Sequence, residues 1–291
     1  MRILAVIPHY CRPGTHAPER SGRHGSESSS SAARARGLSA SIAAFHQMFG
    51  PKQHVLNIAE RRTARLPIPD HLVHVVVCTL ANYHVLDELE VDRSMFQHCL
   101  VETEPPMLGF ACHAVLRDRW GNYDYYCYVE DDLVLRDPWF FRKLDWFSRH
   151  VGDQRLLLPN RFERGRSAHL HKLYVDGDLS PGVTAPFQNR DDDRQLASNV
   201  MGQAITFWRP LNPHAGCFFL NAAQMQTWIN SDHFLNRDIS FVGPLESAAT
   251  LGIMRTFRIY KPAVENADFL EIEHYGAHFL QAVRFADRPD E

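Results

Sequence analysis

Three consecutive carboxylates, Glu130, Asp131 and Asp132, stand between two apolar runs of the chain and form what we call the acidic triplet. The run before them, Tyr125–Val129, is aromatic and β-branched, which is typical of a short buried strand. Carboxylates this close repel one another unless a cation or backbone donors compensate them. A hard divalent cation bound through oxygen is the simplest compensator. A solvated acidic turn after an edge strand is the alternative that these residues alone leave open.

Alternating strands and helices over residues 1–135 predict a mostly parallel, doubly wound sheet. The predicted strands occupy residues 3–7, 71–80, 97–101 and 125–129. The predicted helices begin near residues 38, 85 and 105. Right-handed crossovers place the carboxyl ends of such strands on one rim, where open α/β sheets bind ligands. We therefore expect His9, Leu80 and the acidic triplet to meet there.

After residue 135 the predicted strands and helices no longer alternate strictly. Further strands are expected at residues 155–159, 172–175, 204–208, 216–220 and 255–260. Helices are expected after Pro138, at residues 221–229 and from Pro244, where proline suits the first turn. Residues 9–36 are predicted to be loop, and residues 180–199 a mobile loop whose aspartates 191–193 are a solvated charge run. The tail at residues 265–280 is amphipathic.

The composition limits the classes of protein to consider. A chain of 291 residues with 45% hydrophobic residues fits one large α/β domain. Its net charge of −3 gives no electrostatic reason to expect nucleic acid as a partner. The 6 cysteines form no CxxC pair, which favours a reducing compartment. With no apolar run of membrane-spanning length, we expect a cytoplasmic protein, either free or peripheral to the inner face of a membrane.

Four segments in a consistent order resemble a known family over nearly the whole chain. They are MRILAVIPHY at the N-terminus, YVEDDLVL at the end of the predicted fourth strand, NPHAGCFFLN, and GPLESAATLGIMRTFRIYKPA followed by EHYGAHF. Together they resemble a GT-A-type nucleotide-sugar glycosyltransferase, with YVEDDLVL at the DxD position. The resemblance implies a single GT-A-like α/β domain with a Rossmann-like, mostly parallel central sheet flanked by helices. It divides the chain into a nucleotide-binding half, residues 1–137, and an acceptor-binding half with a mixed sheet, residues 138–291.

The resemblance also implies a divalent metal, Mn²⁺ or Mg²⁺, bridging the donor phosphates. By position, Asp132 would bind the metal directly, Glu130 would contact ribose or bind through water, and Asp131 is the variable middle residue. Glutamate in the first position departs from a strict DxD. Many members add a histidine ligand near the C-terminus, for which His274 fits best and His278 second. Imidazole suits Mn²⁺ better than Mg²⁺. Both histidines being ordinary surface or core residues is the alternative.

Inverting members of the family need a carboxylate that deprotonates the acceptor hydroxyl. Glu246, in Gly-Pro-Leu-Glu-Ser, takes that position, and Asp238 is the reserve candidate. A helix N-terminus stabilises an ionised carboxylate. The same placement describes an ordinary first-turn glutamate, and a retaining enzyme would not need the base, so both alternatives stay open.

Nucleotide contacts are expected after the first two strands. The residues in these positions are His9, Tyr10, Arg12, Thr79 and Asn82, and Glu130 and Asp131 of the acidic triplet are expected to contact the nucleotide with them. Four arginines could reach phosphates, since guanidinium matches them bidentately. They are Arg20, Arg23, Arg34 and Arg36.

The function implied is metal-dependent transfer of a hexosyl or N-acetylhexosaminyl group from a nucleotide-diphosphate sugar, with UDP the expected nucleotide. The acceptor would be a hydroxyl of a glycan, a glycolipid or a small molecule. One alternative is a nucleotidyltransferase on a related fold. That class calls for a glycine-rich loop with Arg and Lys after the first strand, and residues 9–25 contain no lysine. The other is a protein that binds nucleotide sugars or carbohydrates without turnover.

Overall fold

The computed structural model describes residues 1–12, 30–67 and 71–282, which contain fifteen β-strands and seven α-helices. The strands are β1 (Arg2–Pro8), β2 (His54–Asn57), β3 (Arg62–Arg65), β4 (Leu72–Thr79), β5 (Gln97–Leu100), β6 (Tyr125–Val129), β7 (Leu133–Val134), β8 (Arg155–Leu157), β9 (Asn160–Ser167), β10 (Leu170–Tyr174), β11 (Gln195–Val200), β12 (Gln203–Trp208), β13 (Cys217–Asn221), β14 (Arg258–Pro262) and β15 (Glu271–His274). The α-helices are α1 (Ser31–Phe49), α2 (Leu108–Asp118), α3 (Phe140–Val151), α4 (Pro181–Thr184), α5 (Ala222–Ile229), α6 (Pro244–Thr256) and α7 (His278–Ala282). Short 3₁₀ segments lie at Leu86–Glu88, Arg93–Met95, Pro105–Met107 and Val264–Phe269.

The central sheet has the order β13-β6-β1-β4-β5. Strands β6, β1, β4 and β5 are parallel, and β13 is added antiparallel to β6 at one edge. Helix α1 packs on β4, and α2 packs on β1 and β6. β1 is continuously apolar from Ile3 to Ile7 because both faces of the sheet are covered there, and both of these residues are fully buried. The predicted mixed α/β fold with a mostly parallel central sheet is confirmed.

Helix α1 begins earlier than predicted. Ser30 caps its N-terminus by accepting a hydrogen bond from the backbone of Ala33 at 3.2 Å. The predicted loop over residues 9–36 is therefore wrong beyond residue 30. The prediction failed because alanine and arginine, which suit a helix, carry no apolar periodicity across the first two turns.

The sheet β10-β9-β15-β7 connects the end of the chain to the acidic triplet. β15 runs parallel to β9 and antiparallel to β7, with His274 opposite Leu133. Since β7 directly follows the acidic triplet, this pairing places a residue from the C-terminal region beside Asp132. The sheet is mixed, as is β11-β12-β14-β8.

Several segments differ from the sequence-based expectations. The predicted mobile loop over residues 180–199 contains α4 and the start of β11, because β11 pairs with β12 along its full length. Asp192 and Asp193 are not merely solvated: they pair with Arg258 and Arg155, each at 2.5 Å. Helix α6 runs through Thr256, so the predicted strand at 255–260 begins later, in β14.

The hairpin of β2 and β3 and the strands β7 and β9 were not expected. All eight strand residues of the hairpin are exposed, so no buried apolar face marks it in the sequence. β7 has only two residues, and four of the eight residues of β9 are charged.

One apolar core extends across both predicted halves of the chain, from Ile3 in β1 to Ile272 in β15. All six cysteines lie in the described ranges and are free, which agrees with the absence of a disulfide pattern in the sequence. Among the described residues, none of the helices combines the length and apolarity that crossing a bilayer requires.

Candidate functional site

A cleft of about 1040 Å³ opens beside the acidic triplet. Five parts of the chain line it besides the triplet: the first turns of α1, strand β9, His214, the N-terminus of α6, and residues 273–281. The triplet follows the carboxyl end of β6, where a parallel sheet presents its ligand-binding rim. The triplet therefore lies at the edge of the sheet where the sequence predicts it.

Asp131 is held by hydrogen bonds within the protein. Its Oδ2 accepts hydrogen bonds from His9 Nδ1 at 2.5 Å and from Arg34 Nη2 at 2.6 Å. The proton lies on Nδ1 because His9 Nε2 accepts from the backbone of Val85 at 3.2 Å. Burial alone would raise the pKa of Asp131, but Arg34 and His9 hold it below its usual range. Its carboxylate joins β1 to α1, and because Asp131 also lines the cleft, its contact with a nucleotide stays a prediction.

Glu130 has the opposite surroundings. It is buried, and its Oε1 has no hydrogen-bond partner within the described part of the chain. Burial raises its pKa to about 8 against the opposing charge of Arg161, and the nearby carboxylates of Asp132 and Glu246 add to the rise. Gly216, at φ 62°, leaves room for this side chain, since a Cβ there would lie 2.6 Å from Glu130 Oε2.

Asp132 is the member of the acidic triplet whose carboxylate lies beside a histidine, His274. Its Oδ2 lies 3.6 Å from His274 Nε2, and the backbone of Tyr275 donates to the Asp132 carbonyl oxygen at 2.7 Å. Asp132 Oδ1 is buried and has no hydrogen-bond partner in the described ranges. Asp132 and His274, far apart in the sequence, are thus brought together as predicted.

Glu163 orients the imidazole of His274. Its Oε1 accepts a hydrogen bond from His274 Nδ1 at 2.9 Å, and the Glu163 side chain is completely buried. With Nδ1–H donating to Glu163, Nε2 is the ring nitrogen that lies near Asp132 and that a neutral imidazole would offer to a cation. Burial alone would lower the pKa of His274, but Asp132 and Glu163 raise it. A ligating histidine usually has this arrangement, with its other ring nitrogen bonded to a carboxylate. No sequence pattern marks Glu163, which lies in the charged strand β9.

The donor set fits a cation that takes its other ligands from substrate. Asp132 Oδ2 and His274 Nε2 are 3.6 Å apart, which is less than the summed length of two metal–ligand bonds of about 2.1 Å each. One cation could therefore contact both atoms. No group of three or more His, Cys, Asp or Glu side chains within residues 1–12, 30–67 and 71–282 is arranged to hold a metal. His278 lines the cleft but is exposed and packs against the Phe279 ring, so it does not complete such a group. One or two protein ligands supplemented by phosphate oxygens are usual for Mg²⁺.

Glu246 lies where a base could meet an acceptor. It is in the first turn of α6, lines the cleft, and its buried Oε2 has no hydrogen-bond partner among the described residues. Asp238, the reserve candidate, does not line the cleft and is paired with Arg255 at 2.9 Å. The structure therefore favours Glu246 over Asp238.

The predicted nucleotide-contacting residues separate into two groups. His9 and Thr79 are fully buried, because the ends of β1 and β4 turn these side chains inward; Thr79 Oγ1 lies 2.7 Å from His98 Nε2. Their burial removes them from any surface that a nucleotide reaches in this conformation, which corrects the prediction. Tyr10, Arg12 and Asn82 keep exposed surface but do not line the cleft. The Tyr10 ring packs against the Tyr83 ring at 5.4 Å, and Arg12 lies over the Tyr83 ring.

Arginines supply the groups of the cleft that could bind an anion, beside an equal number of carboxylates. Five line it: Arg34, Arg36, Arg161, Arg164 and Arg166. Arg34 and Arg36 were predicted as phosphate contacts, whereas Arg20 and Arg23 lie outside the described residues. The three arginines of β9 were missed, because arginines on an irregular charged strand look like surface residues.

Arg161 is held by a buried ion-pair network behind the cleft. Its Nε donates to Asp176 Oδ1 at 2.8 Å, and Lys261 Nζ donates to Asp176 Oδ2 at 2.7 Å. Burial would raise the pKa of Asp176, but Arg161 and Lys261 outweigh burial and hold it well below its usual range. One carboxylate therefore balances two buried cations.

Replacing Asp176 by Asn should destabilise the fold by about 3–5 kcal/mol, because it leaves Arg161 and Lys261 buried without their counter-charge. The free energy of unfolding in urea measures this, with Asp118→Asn on an exposed helix end as the matched control. Since the folded pKa of Asp176 is depressed, its stabilisation is present above about pH 4 and is lost as the pH falls below that value. Equal unfolding free energies for the two variants would contradict the network's role.

Comparisons with known proteins do not assign a family. No protein-family model matches the chain, and no curated protein matches it. One solved structure with similarity is described as the crystal structure of a mannose-1-phosphate geranyltransferase from Thermus thermophilus. It aligns with a TM-score of 0.33 and 10% identity over 90% of this chain and 73% of that one. A TM-score of this size supports no conclusion about function, so the function is argued from the cleft.

Proposed function

We propose that the chain is a GT-A-like glycosyltransferase that moves a hexosyl or N-acetylhexosaminyl group from a nucleotide-diphosphate sugar to a hydroxyl acceptor. The observation that carries the proposal is the pair of Asp132 and His274, oriented by Glu163, within an arginine-lined cleft that also contains Glu246. Carboxylate and imidazole suit Mn²⁺, with Mg²⁺ as the second choice. UDP is the nucleotide we expect.

The cleft suits the donor's charged end. Asp132 and His274 would hold the cation, which when bound acts as a Lewis acid on the diphosphate. Arg34, already beside Asp131 and Asp132, and the exposed Arg36 would meet phosphate oxygens from the α1 side. Arg161, immobilised by Asp176, adds a fixed positive charge near Glu130. A site prepared in this way stabilises the negative charge that develops on a leaving diphosphate.

Glu246 would act on the acceptor. Its carboxylate takes the proton of the acceptor hydroxyl as the hydroxyl oxygen bonds to the anomeric carbon of the donor sugar. The bond from that carbon to the diphosphate oxygen breaks in the same step, and the nucleotide diphosphate leaves. Attack opposite to the leaving group inverts the anomeric configuration.

Release of nucleotide diphosphate tests the proposal. The purified chain is incubated with UDP-, GDP-, CMP- and dTDP-sugars, a mixture of hydroxyl acceptors, and Mn²⁺ or Mg²⁺, and the free nucleotide is quantified. We expect acceptor- and metal-dependent release from one donor class. Release of pyrophosphate from a nucleoside triphosphate and a sugar phosphate would instead identify a nucleotidyltransferase. Binding without any turnover would identify a non-catalytic nucleotide-sugar protein.

A further inference from the structure

Glu163 accepts more than the hydrogen bond from His274. Its Oε1 also accepts from the backbone N–H of Phe279 at 3.0 Å, and its Oε2 accepts from the backbone N–H of Leu280 at 2.8 Å. The side chain is fully buried. Of the residues that the structure describes, His274 is the only basic side chain paired with it. The three hydrogen bonds that stabilise the Glu163 carboxylate therefore all come from one stretch of chain, residues 274–280.

That stretch forms one side of the cleft. Residues 275–282, here called the terminal segment, contribute seven lining residues, from Tyr275 through Gln281, and include the short helix α7. The segment begins at the backbone hydrogen bond from Tyr275 to Asp132. The Phe279 ring then returns to pack at 5.4 Å from the imidazole of His274. The terminal segment thus contacts the acidic triplet at one end and Glu163 at the other.

We propose that Glu163 is a positioning residue that couples the orientation of His274 to the seating of the terminal segment over the cleft. Glu163 Oε1 accepts hydrogen bonds from both the His274 imidazole and the Phe279 amide. A movement of either donor therefore changes the hydrogen bond that Oε1 makes with the other. If the segment leaves, Glu163 loses two of its three donors, the Phe279 and Leu280 amides. Loss of these hydrogen bonds disfavours the open arrangement.

The consequence is a reciprocal linkage between cation binding and closure of the cleft. A cation bound at His274 Nε2 would fix the ring so that Nδ1–H continues to donate to Glu163 Oε1, which would favour the seated segment. A seated segment in turn holds the ring ready for the cation, since linkage between two binding events acts equally in both directions. The part that concerns the cation rests on the proposed function, whereas the anchoring of the segment stands on the hydrogen bonds alone.

The test uses Glu163→Gln in the full chain, with Glu271→Gln as the matched control. Glu271 lies on the same strand as His274, pairs with Lys172 at 2.8 Å, and does not line the cleft. Two quantities are measured for each variant: hydrogen exchange of the Phe279 and Leu280 amides, and the Kd for Mn²⁺ in the presence of UDP. Thermal melting checks folding, and Glu163→Asp, which keeps the charge on a shorter side chain, serves if the glutamine variant does not fold.

In Glu163→Gln we expect the two amides to exchange about tenfold faster or more. The Kd for Mn²⁺ should rise about 10- to 100-fold, the usual effect of removing such a partner of a metal ligand. In the wild type, Mn²⁺ with UDP should slow exchange of these amides, and the slowing should disappear in Glu163→Gln. Glu271→Gln should change none of these quantities.

Two results would overturn the role of Glu163: unchanged amide exchange in Glu163→Gln, or faster exchange with wild-type affinity for Mn²⁺. A wild type that binds neither Mn²⁺ nor UDP would overturn the proposed function and, with it, the link to the cation. In that case the exchange measurement still decides the anchoring of the terminal segment. The two failures are therefore distinguishable.

Discussion

Asp132→Asn is expected to lower kcat/KM for nucleotide-sugar turnover by about 10²- to 10³-fold or more. Asparagine keeps the shape of the side chain and the backbone hydrogen bond from Tyr275, so the fold should persist. It removes the negative charge that faces His274 and leaves a neutral amide, which is a weak ligand for a divalent cation. The nucleotide released per unit time, measured across a range of Mn²⁺ concentrations, gives the effect.

Asp145→Asn is the matched control for this variant. Asp145 lies on the exposed side of α3, where it pairs with Arg149, and the same substitution there should leave turnover unchanged. Surface ion pairs of this kind contribute little to stability. If Asp132→Asn keeps activity within a few-fold of the wild type at low Mn²⁺, then Asp132 is not the cation ligand and the proposed site is wrong.

Glu246→Gln is expected to reduce kcat by about 10²- to 10⁴-fold while donor binding stays unchanged. The amide cannot take the proton of the acceptor hydroxyl, but it fills the same space in the first turn of α6. Because Glu246 is not expected to contact the donor diphosphate, the Kd for the nucleotide sugar with Mn²⁺ should equal that of the wild type. A loss in kcat with unchanged donor affinity separates a base from a binding residue.

A structural contribution of Glu246 must be separated from the catalytic one. Loss of the negative charge at the N-terminus of α6 removes about 0.3–1 kcal/mol of helix stabilisation, which thermal melting detects. NMR of the product gives the anomeric configuration, which should be inverted relative to the donor. A product of retained configuration, or a Glu246→Gln variant with near-normal kcat, would show that Glu246 is an ordinary first-turn glutamate.

The parallel sheet within residues 1–135 could be predicted from the sequence because the patterns that indicate its strands and flanking helices are local. The apolar runs of β1, β4 and β6 and the alternation with helices indicate a parallel sheet without knowledge of any contact. The position of the acidic triplet at the sheet's rim follows from the same rules. The short strand β7 and the charged strand β9 could not be predicted, because β7 pairs with β15, more than 100 residues later, and β9 lies between β15 and its hairpin neighbour β10.

The site could be predicted only in part, because some of its residues act through partners that are distant in sequence. Asp132 and His274 belong to residue types that suggest a ligand, and pairing of β15 with β7 brings them together. Glu163 and Arg161 act through partners distant in sequence, so neither has a local pattern that would mark it. His9 shows the opposite error: a histidine at the end of a strand suggests a ligand contact, yet its ring is buried and used to hold Asp131.

The most direct test of the central claim is a thermal-shift titration of the wild type with UDP-, GDP-, CMP- and dTDP-sugars, each with and without Mn²⁺ or Mg²⁺. The cleft predicts that one nucleotide class raises the melting temperature only when the divalent cation is present. Asp132→Asn should abolish that rise. If no nucleotide stabilises the protein with any divalent cation, the cleft is not a nucleotide-sugar site and the proposed function is contradicted.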